Sequence, residues 1–268
     1  MSATPTKKVI LVTGGSRGIG LAAVRFLLHG TKTIPACNVV SLSRSVPAEL
    51  QALAKEHTSL AIVQGDVTTS KSNEEMRDEA LKRWGRIDGL LLNAGVIDHM
   101  RCADLTAERL LHVLNVNTVS IAESVRVTLP ELRKTNGSVV MVSSGAAVSN
   151  YASWAAYNAS KAALNAYART LANEEKDIAC FSVRPGVVDT DMQGLIRATT
   201  EMPTEQQAKF LSMHKNGELL SPEKPAHVLA ALAVQGTRKE PVGEDGTPLG
   251  ATGTFCSWDD ASLSAYQL

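Results

Sequence analysis

Residues 8–28 read KVILVTGGSRGIGLAAVRFLL, and the fold turns on how this stretch is understood. Residues 8–13 form a short, unbroken apolar run that ends at glycines, which predicts a buried strand. Gly14 and Gly15 break it. Ser16, Arg17, Gly18, Ile19 and Gly20 follow, and an amphipathic run continues to Leu28. Strand, glycine turn and helix in that order let backbone approach a pyrophosphate, while the helix N-terminus offers free N–H groups and the positive end of its dipole. The spacing is Gly-x-x-x-Gly-x-Gly from Gly14 to Gly20, a variant of the more familiar Gly-x-Gly-x-x-Gly.

The same alternation repeats down the chain. Further strands are predicted over 38–43, 60–64, 89–92, 138–143, 178–184 and 254–257. Helices are predicted over 73–84, 106–132, 151–171 and 225–234. Continuous apolar strands alternating with helices imply one doubly wound α/β domain, a parallel sheet of about seven strands with helices on both faces. In such sheets ligands bind beyond the C-terminal strand ends. Arg44, Asp66 with Val67, Asn93-Ala94-Gly95, Ser144 and Pro185-Gly186 all leave such ends, so they are expected to converge on the glycine turn. At the end of the second strand an acid would accept from a free ribose 2′-OH, whereas an Arg accommodates a 2′-phosphate. Here Ser43-Arg44-Ser45 stands in that place, and no acid appears before Glu49. Arg17 and Arg44 therefore point to NADP(H) as the cofactor.

Tyr157 and Lys161 lie four residues apart in the helix predicted over 151–171, so they share one face. An ammonium beside a phenol favours the phenolate and is expected to bring the Tyr toward neutral pH, where it can exchange a proton.

Composition excludes other classes. Lys plus Arg and Asp plus Glu are 27 each, and no basic stripe suggests nucleic acid. No run approaches the 18 or so apolar residues of a membrane span, and MSATPTKK contains no apolar signal core, so a cytoplasmic protein is expected. Cys37, Cys102, Cys180 and Cys256 are scattered and show neither metal nor disulfide spacing. His29, His57, His112 and His214 lie in unrelated places and take no chemistry. Residues 191–220 loosen the pattern with Met192, Leu195, Ile196, Met202, Phe210, Leu211 and Met213; packing helices fit this stretch, and so does a lid over an apolar substrate, which is the expectation.

Taken in order, these pieces resemble the short-chain dehydrogenase/reductase family from Lys8 to about Ser257. The matching residues are Thr13-Gly14, Gly18-Ile19-Gly20, Asp66, Asn93-Ala94-Gly95, Asn117 after Val116, Ser144, Tyr157 with Lys161, and Pro185-Gly186 through Thr190. The stretches SSGAAVSNYASWAAYNASKAALN and PGVVDTDM look most like the sepiapterin reductase and benzil reductase branch. The resemblance implies a Rossmann-type fold and a catalytic set of Asn117, Ser144, Tyr157 and Lys161. In that set Tyr157 is the proton donor to a carbonyl. Lys161 lowers its pKa and binds the nicotinamide ribose, and Ser144 hydrogen-bonds the reacting oxygen. Asn117 holds a water that links Lys161 to solvent. Asn93, Val188 and Thr190 are expected to fix the ribose and carboxamide. Family members commonly pair their long helices across a two-fold axis, so a homodimer or homotetramer is expected. The activity implied is an NADPH-dependent carbonyl reductase. The competing readings are a non-catalytic dinucleotide sensor, which has no need of Ser144, Tyr157 and Lys161 together, and an NAD-dependent alcohol dehydrogenase, against which Arg44 argues.

Overall fold

Seven parallel strands form one sheet in the order β3-β2-β1-β4-β5-β6-β7, and each but the last is followed by a crossover that returns the chain to the same edge. The structure is a computed structural model that describes residues 7–268. β1 (Val9–Thr13) is central and wholly buried, because its alternate side chains feed two cores. Ile10 and Val12 join the layer built by α1 (Gly18–His29) and α9 (Glu223–Gln235). Val9 and Leu11 join the layer built by α3 (Ser70–Trp84), α5 (Ser120–Thr135) and α6 (Ala155–Glu174). A strand covered on both faces has no polar side, which is why the alternation of a half-exposed strand is missing from VILV.

Strand order reverses between β2 (Asn38–Ser43) on one side of β1 and β4 (Gly89–Leu92) on the other. The crossovers part there and leave a crevice beyond the strand ends. β3 (Leu60–Gln64) lies outside β2. β5 (Ser138–Val142), β6 (Ala179–Arg184) and β7 (Phe255–Ser257) extend the sheet the other way.

Three departures from the sequence reading matter. The segment 48–56 folds as α2 (Ala48–Glu56), a short helix that buries only Leu50 and Leu53 and so shows little apolar periodicity. The helix expected over 106–132 is interrupted. α4 (Ala107–Leu114) is capped by the Thr106 hydroxyl, passes into a π-helical turn at Asn115–Val119, and only then becomes α5. The helix expected from residue 151 starts at Ala155, after a turn in which Ser153 has φ 62°. The segment 191–220 contains α7 (Asp191–Ala198) and α8 (Thr204–Lys215). Leu249–Thr252 forms the short helix α10 before β7. Among the described residues no helix is long and apolar enough to cross a membrane, and no cluster of His, Cys, Asp or Glu could hold a metal ion.

Candidate active site

Two cavities open at the C-terminal edge of the sheet. The larger, about 750 Å³, runs along the crevice. It is lined by Gly14, Ser16, Arg17, Gly18, Ile19, Arg44, Asp66, Val67, Asn93, Ala94, Gly95, Pro185 and Thr190, with Tyr157 and Lys161 at its inner end. The glycine turn shapes its floor. Gly14 and Gly18 have φ of 70° and 52°, which side chains rarely adopt, and a Cβ on Gly18 would stand 3.1 Å from Thr190 Cγ2. The N-terminus of α1 carries no side-chain cap, so its first N–H groups face the crevice free. An uncapped helix N-terminus behind a glycine cradle suits a pyrophosphate. Gly20 does not line the cavity. A Cβ there would meet the Gly14 carbonyl oxygen at 2.1 Å, so this glycine lets α1 pass close to the turn.

Further residues assigned to the cofactor carry other contacts. Asn93 Nδ2 donates to the Thr13 and Gly14 carbonyls at 3.3 and 3.1 Å, and its backbone N–H donates to Thr13 Oγ1 at 3.1 Å. Its amide N–H groups hold the glycine turn rather than reaching toward a ribose. Gly186 and Val188 line the second cavity, and Val188 bridges to Leu220. Asp66 Oδ1 accepts from the Thr68 N–H and hydroxyl, and these bonds hold its carboxyl below the usual range. Arg44 is exposed at the rim; among the described residues its guanidinium makes no hydrogen bond or ion pair, and its charge helps hold the Asp66 carboxyl down.

The smaller cavity, about 420 Å³, lies between the exit of β5 and the helices α7 and α8. Ser144 lines one wall. Tyr151, Trp154, Val187, Met192, Ile196 and Phe210 make it apolar. The Phe210 ring of α8 stacks on Trp154, with centroids 5.7 Å apart and planes at 22°, and Trp154 packs edge-on to Tyr157 at 5.8 Å. Tyr157 lines both cavities.

α6 is fixed against β5 rung by rung. Lys161 Nζ donates to the Val142 carbonyl at 2.7 Å, Asn165 Oδ1 accepts from Ser143 Oγ at 2.6 Å, and the Tyr157 phenol faces the Ser144 side chain. Ser144 Oγ also caps the following turn by accepting from Ala146 N–H. Asn165 was not singled out from the sequence, where it is one polar residue in an alanine-rich helix. Its four-residue spacing from Lys161 was the available signal. Lys161 and Tyr157 are 4% and 7% exposed. Burial pulls the Lys161 ammonium down to about 8. Burial also raises the Tyr157 phenol, against the expectation from spacing, and the Ser144 side chain offsets this only in part. The physical reason is that the ammonium faces the Val142 carbonyl and lies 5.8 Å from the phenol ring centre, while the whole phenol is desolvated.

Asn117 is wholly buried in the π-helical turn. Oδ1 accepts from Val96 N–H at 2.8 Å, while Nδ2 donates to the Val96 carbonyl at 2.9 Å and Ser160 Oγ at 3.0 Å. Both amide hydrogens thus tie the exit of β4 to α6. With both taken, the second lone pair of Oδ1 and the backbone are left to meet the expected water. The extra residue of a π turn is what brings Asn117 inward while Asn115 stays exposed.

The sequence matches the short chain dehydrogenase family over residues 8–201. The chain belongs to this family. It is 39% identical over 97% of its length to an uncharacterized oxidoreductase of Saccharomyces cerevisiae, covering 98% of that protein. It is 35% identical over 85% of its length to a benzil reductase ((S)-benzoin forming) of the same yeast, covering 91% of it. A crystal structure of a short-chain dehydrogenase/reductase from Saccharomyces cerevisiae superposes with a TM-score of 0.88 at 38% identity, covering 97% of this chain and all of that one. The Rossmann-type sheet is therefore that of an oxidoreductase family that uses nicotinamide dinucleotides.

Proposed function

We propose that the protein is an NADPH-dependent carbonyl reductase acting on a neutral, fairly apolar ketone, diketone or pterin-like side-chain carbonyl. The observation that carries this reading is the position of Tyr157, the catalytic-type phenol at the junction of the dinucleotide crevice and the apolar cavity. A benzil reductase among the relatives supports a carbonyl substrate.

The crevice suits NADPH. The α1 N-terminus and Arg17 would hold phosphates, Arg44 would meet the 2′-phosphate and Lys161 the nicotinamide ribose. NADPH, when bound, supplies the hydride. The chain's own residues do the rest. Tyr157 gives its phenolic proton to the carbonyl oxygen, and its raised pKa keeps that proton in place at neutral pH. The Ser144 hydroxyl donates a hydrogen bond to the same oxygen as negative charge develops there. Lys161, held on the Val142 carbonyl, keeps a cation one turn from the phenol. Trp154, Phe210 and Ile196 exclude water from the cavity, and α7 and α8 act as its lid.

We place the protein in the cytoplasm, where its four free cysteines stay reduced. We also read it as a homo-oligomer through the α4–α5 and α6 surface, where Leu111 and Val119 are 56% and 55% exposed. A panel of neutral diketones, aryl ketones and keto acids, each offered with NADPH, tests the function. Turnover of neutral diketones or ketones is expected. Activity confined to carboxylated keto acids, or none at all, would contradict it.

A further inference from the structure

Arg17 Nη1 stands 2.7 Å from Asp191 Oδ2, across 174 residues of sequence. Arg17 is the N-cap residue of α1 and Asp191 the first residue of α7. Both line the dinucleotide crevice, and beside them a Cβ on Gly18 would all but touch Thr190. The carboxylate thus lies in the mouth of an anion site, on the guanidinium that faces the phosphates of a bound dinucleotide. Carboxylate and phosphate accept from the same guanidinium N–H groups, and Asp191 Oδ2 holds Nη1, so a phosphate reaching that edge of Arg17 must displace it.

From this geometry we infer that Asp191 is a determinant of cofactor affinity: its carboxylate takes the place of a cofactor phosphate on Arg17 and is displaced when the dinucleotide binds. The inference rests on reading the crevice as an NADP(H) site. Asp191 lowers affinity, because its pairing with Arg17 must be given up on binding. Release then returns Arg17 to a waiting partner, and α7 to the glycine turn. Both side chains are well exposed, at 71% and 68%, so the effect is modest. An exposed pair of this kind corresponds to a change of about two- to fivefold in a binding constant.

The test is calorimetric titration of NADP⁺ and NAD⁺ into the parent, Asp191→Asn, Arg17→Ala and the double variant. The parent alone reports on the proposed function: binding of neither dinucleotide would overturn that reading. Given binding, Asp191→Asn is expected to bind about two- to fivefold more tightly. The gain should vanish when Arg17 is already alanine. A gain for NADP⁺ alone identifies the 2′-phosphate as the displacing group, and an equal gain for both identifies the pyrophosphate. Unchanged or weaker binding by Asp191→Asn overturns the inference. So does a gain that survives in the Arg17→Ala background, since that would be plain charge repulsion without competition for the guanidinium.

Discussion

Lys161 Nζ donates a 2.7 Å hydrogen bond to the backbone carbonyl of Val142, which fixes the helix bearing the phenol to the strand that ends beside Ser144. Asn165 Oδ1 accepts from the Ser143 hydroxyl just past the strand end, and the Tyr157 phenol faces Ser144. Three successive turns of α6 thus meet the last residue of β5 and the two residues that follow it.

The buried ammonium gives a pH signature. Lys161 falls to about 8 in the folded chain, against ~10.4 for a free lysine. Between those values the unfolded chain binds more protons, so this residue makes stability rise with pH. Parent and Lys161→Met are compared by urea unfolding from pH 7 to pH 10.5. The parent should gain on the variant across that window, chiefly above pH 8. A pH-independent difference would mean that the lysine is not desolvated.

Asn165 is expected to matter for rate more than for binding. Its Oδ1 also accepts from Ser182 Oγ at 2.6 Å, so Asn165→Leu leaves two buried hydroxyls without this acceptor. The cost should be about 1–3 kcal/mol for each hydroxyl left unpaired. With the β5 exit loosened, kcat should drop while the NADPH KM holds. Stability loss with kcat unchanged would make Asn165 a packing residue only.

Which parts of this were legible in the sequence follows from physics. The alternation was readable because a strand buried on both faces must be continuously apolar, as 9–12 and 139–142 are. The cofactor edge was readable because parallel strands place their exits together. The π turn was not, since NVNTV carries neither proline nor glycine and its effect is one extra residue of winding. The direction of the Tyr157 shift was missed because spacing gives the neighbour but not the burial. The Arg17–Asp191 pair was missed because only the folded chain brings the glycine turn against α7.

Arg44 tests cofactor choice. Its guanidinium makes no hydrogen bond among the described residues, and a charge-assisted bond to a 2′-phosphate contributes roughly 1.5–3 kcal/mol. Arg44→Ala should therefore lose about tenfold to over a hundredfold in kcat/KM for NADPH and almost nothing for NADH. An equal loss on both would place Arg44 in support of the fold or the adenine site.

Oligomeric state has its own check. Light scattering at micromolar concentration should give a multiple of 28.5 kDa, and Val119→Arg should lower it. A parent at the monomer mass would remove the proposed α4–α5 and α6 interface.

Tyr157→Phe tests the central claim most directly. The substitution keeps the ring against Trp154 and removes only the phenolic hydroxyl, and with it the proton. On a diketone that the parent reduces, kcat should fall by at least ~10²–10⁴-fold, the usual worth of a general acid. NADPH binding, measured by titration on the same preparation, should stay within about twofold, since the crevice is unchanged. A Phe variant that turns over within a few fold of the parent would contradict the account.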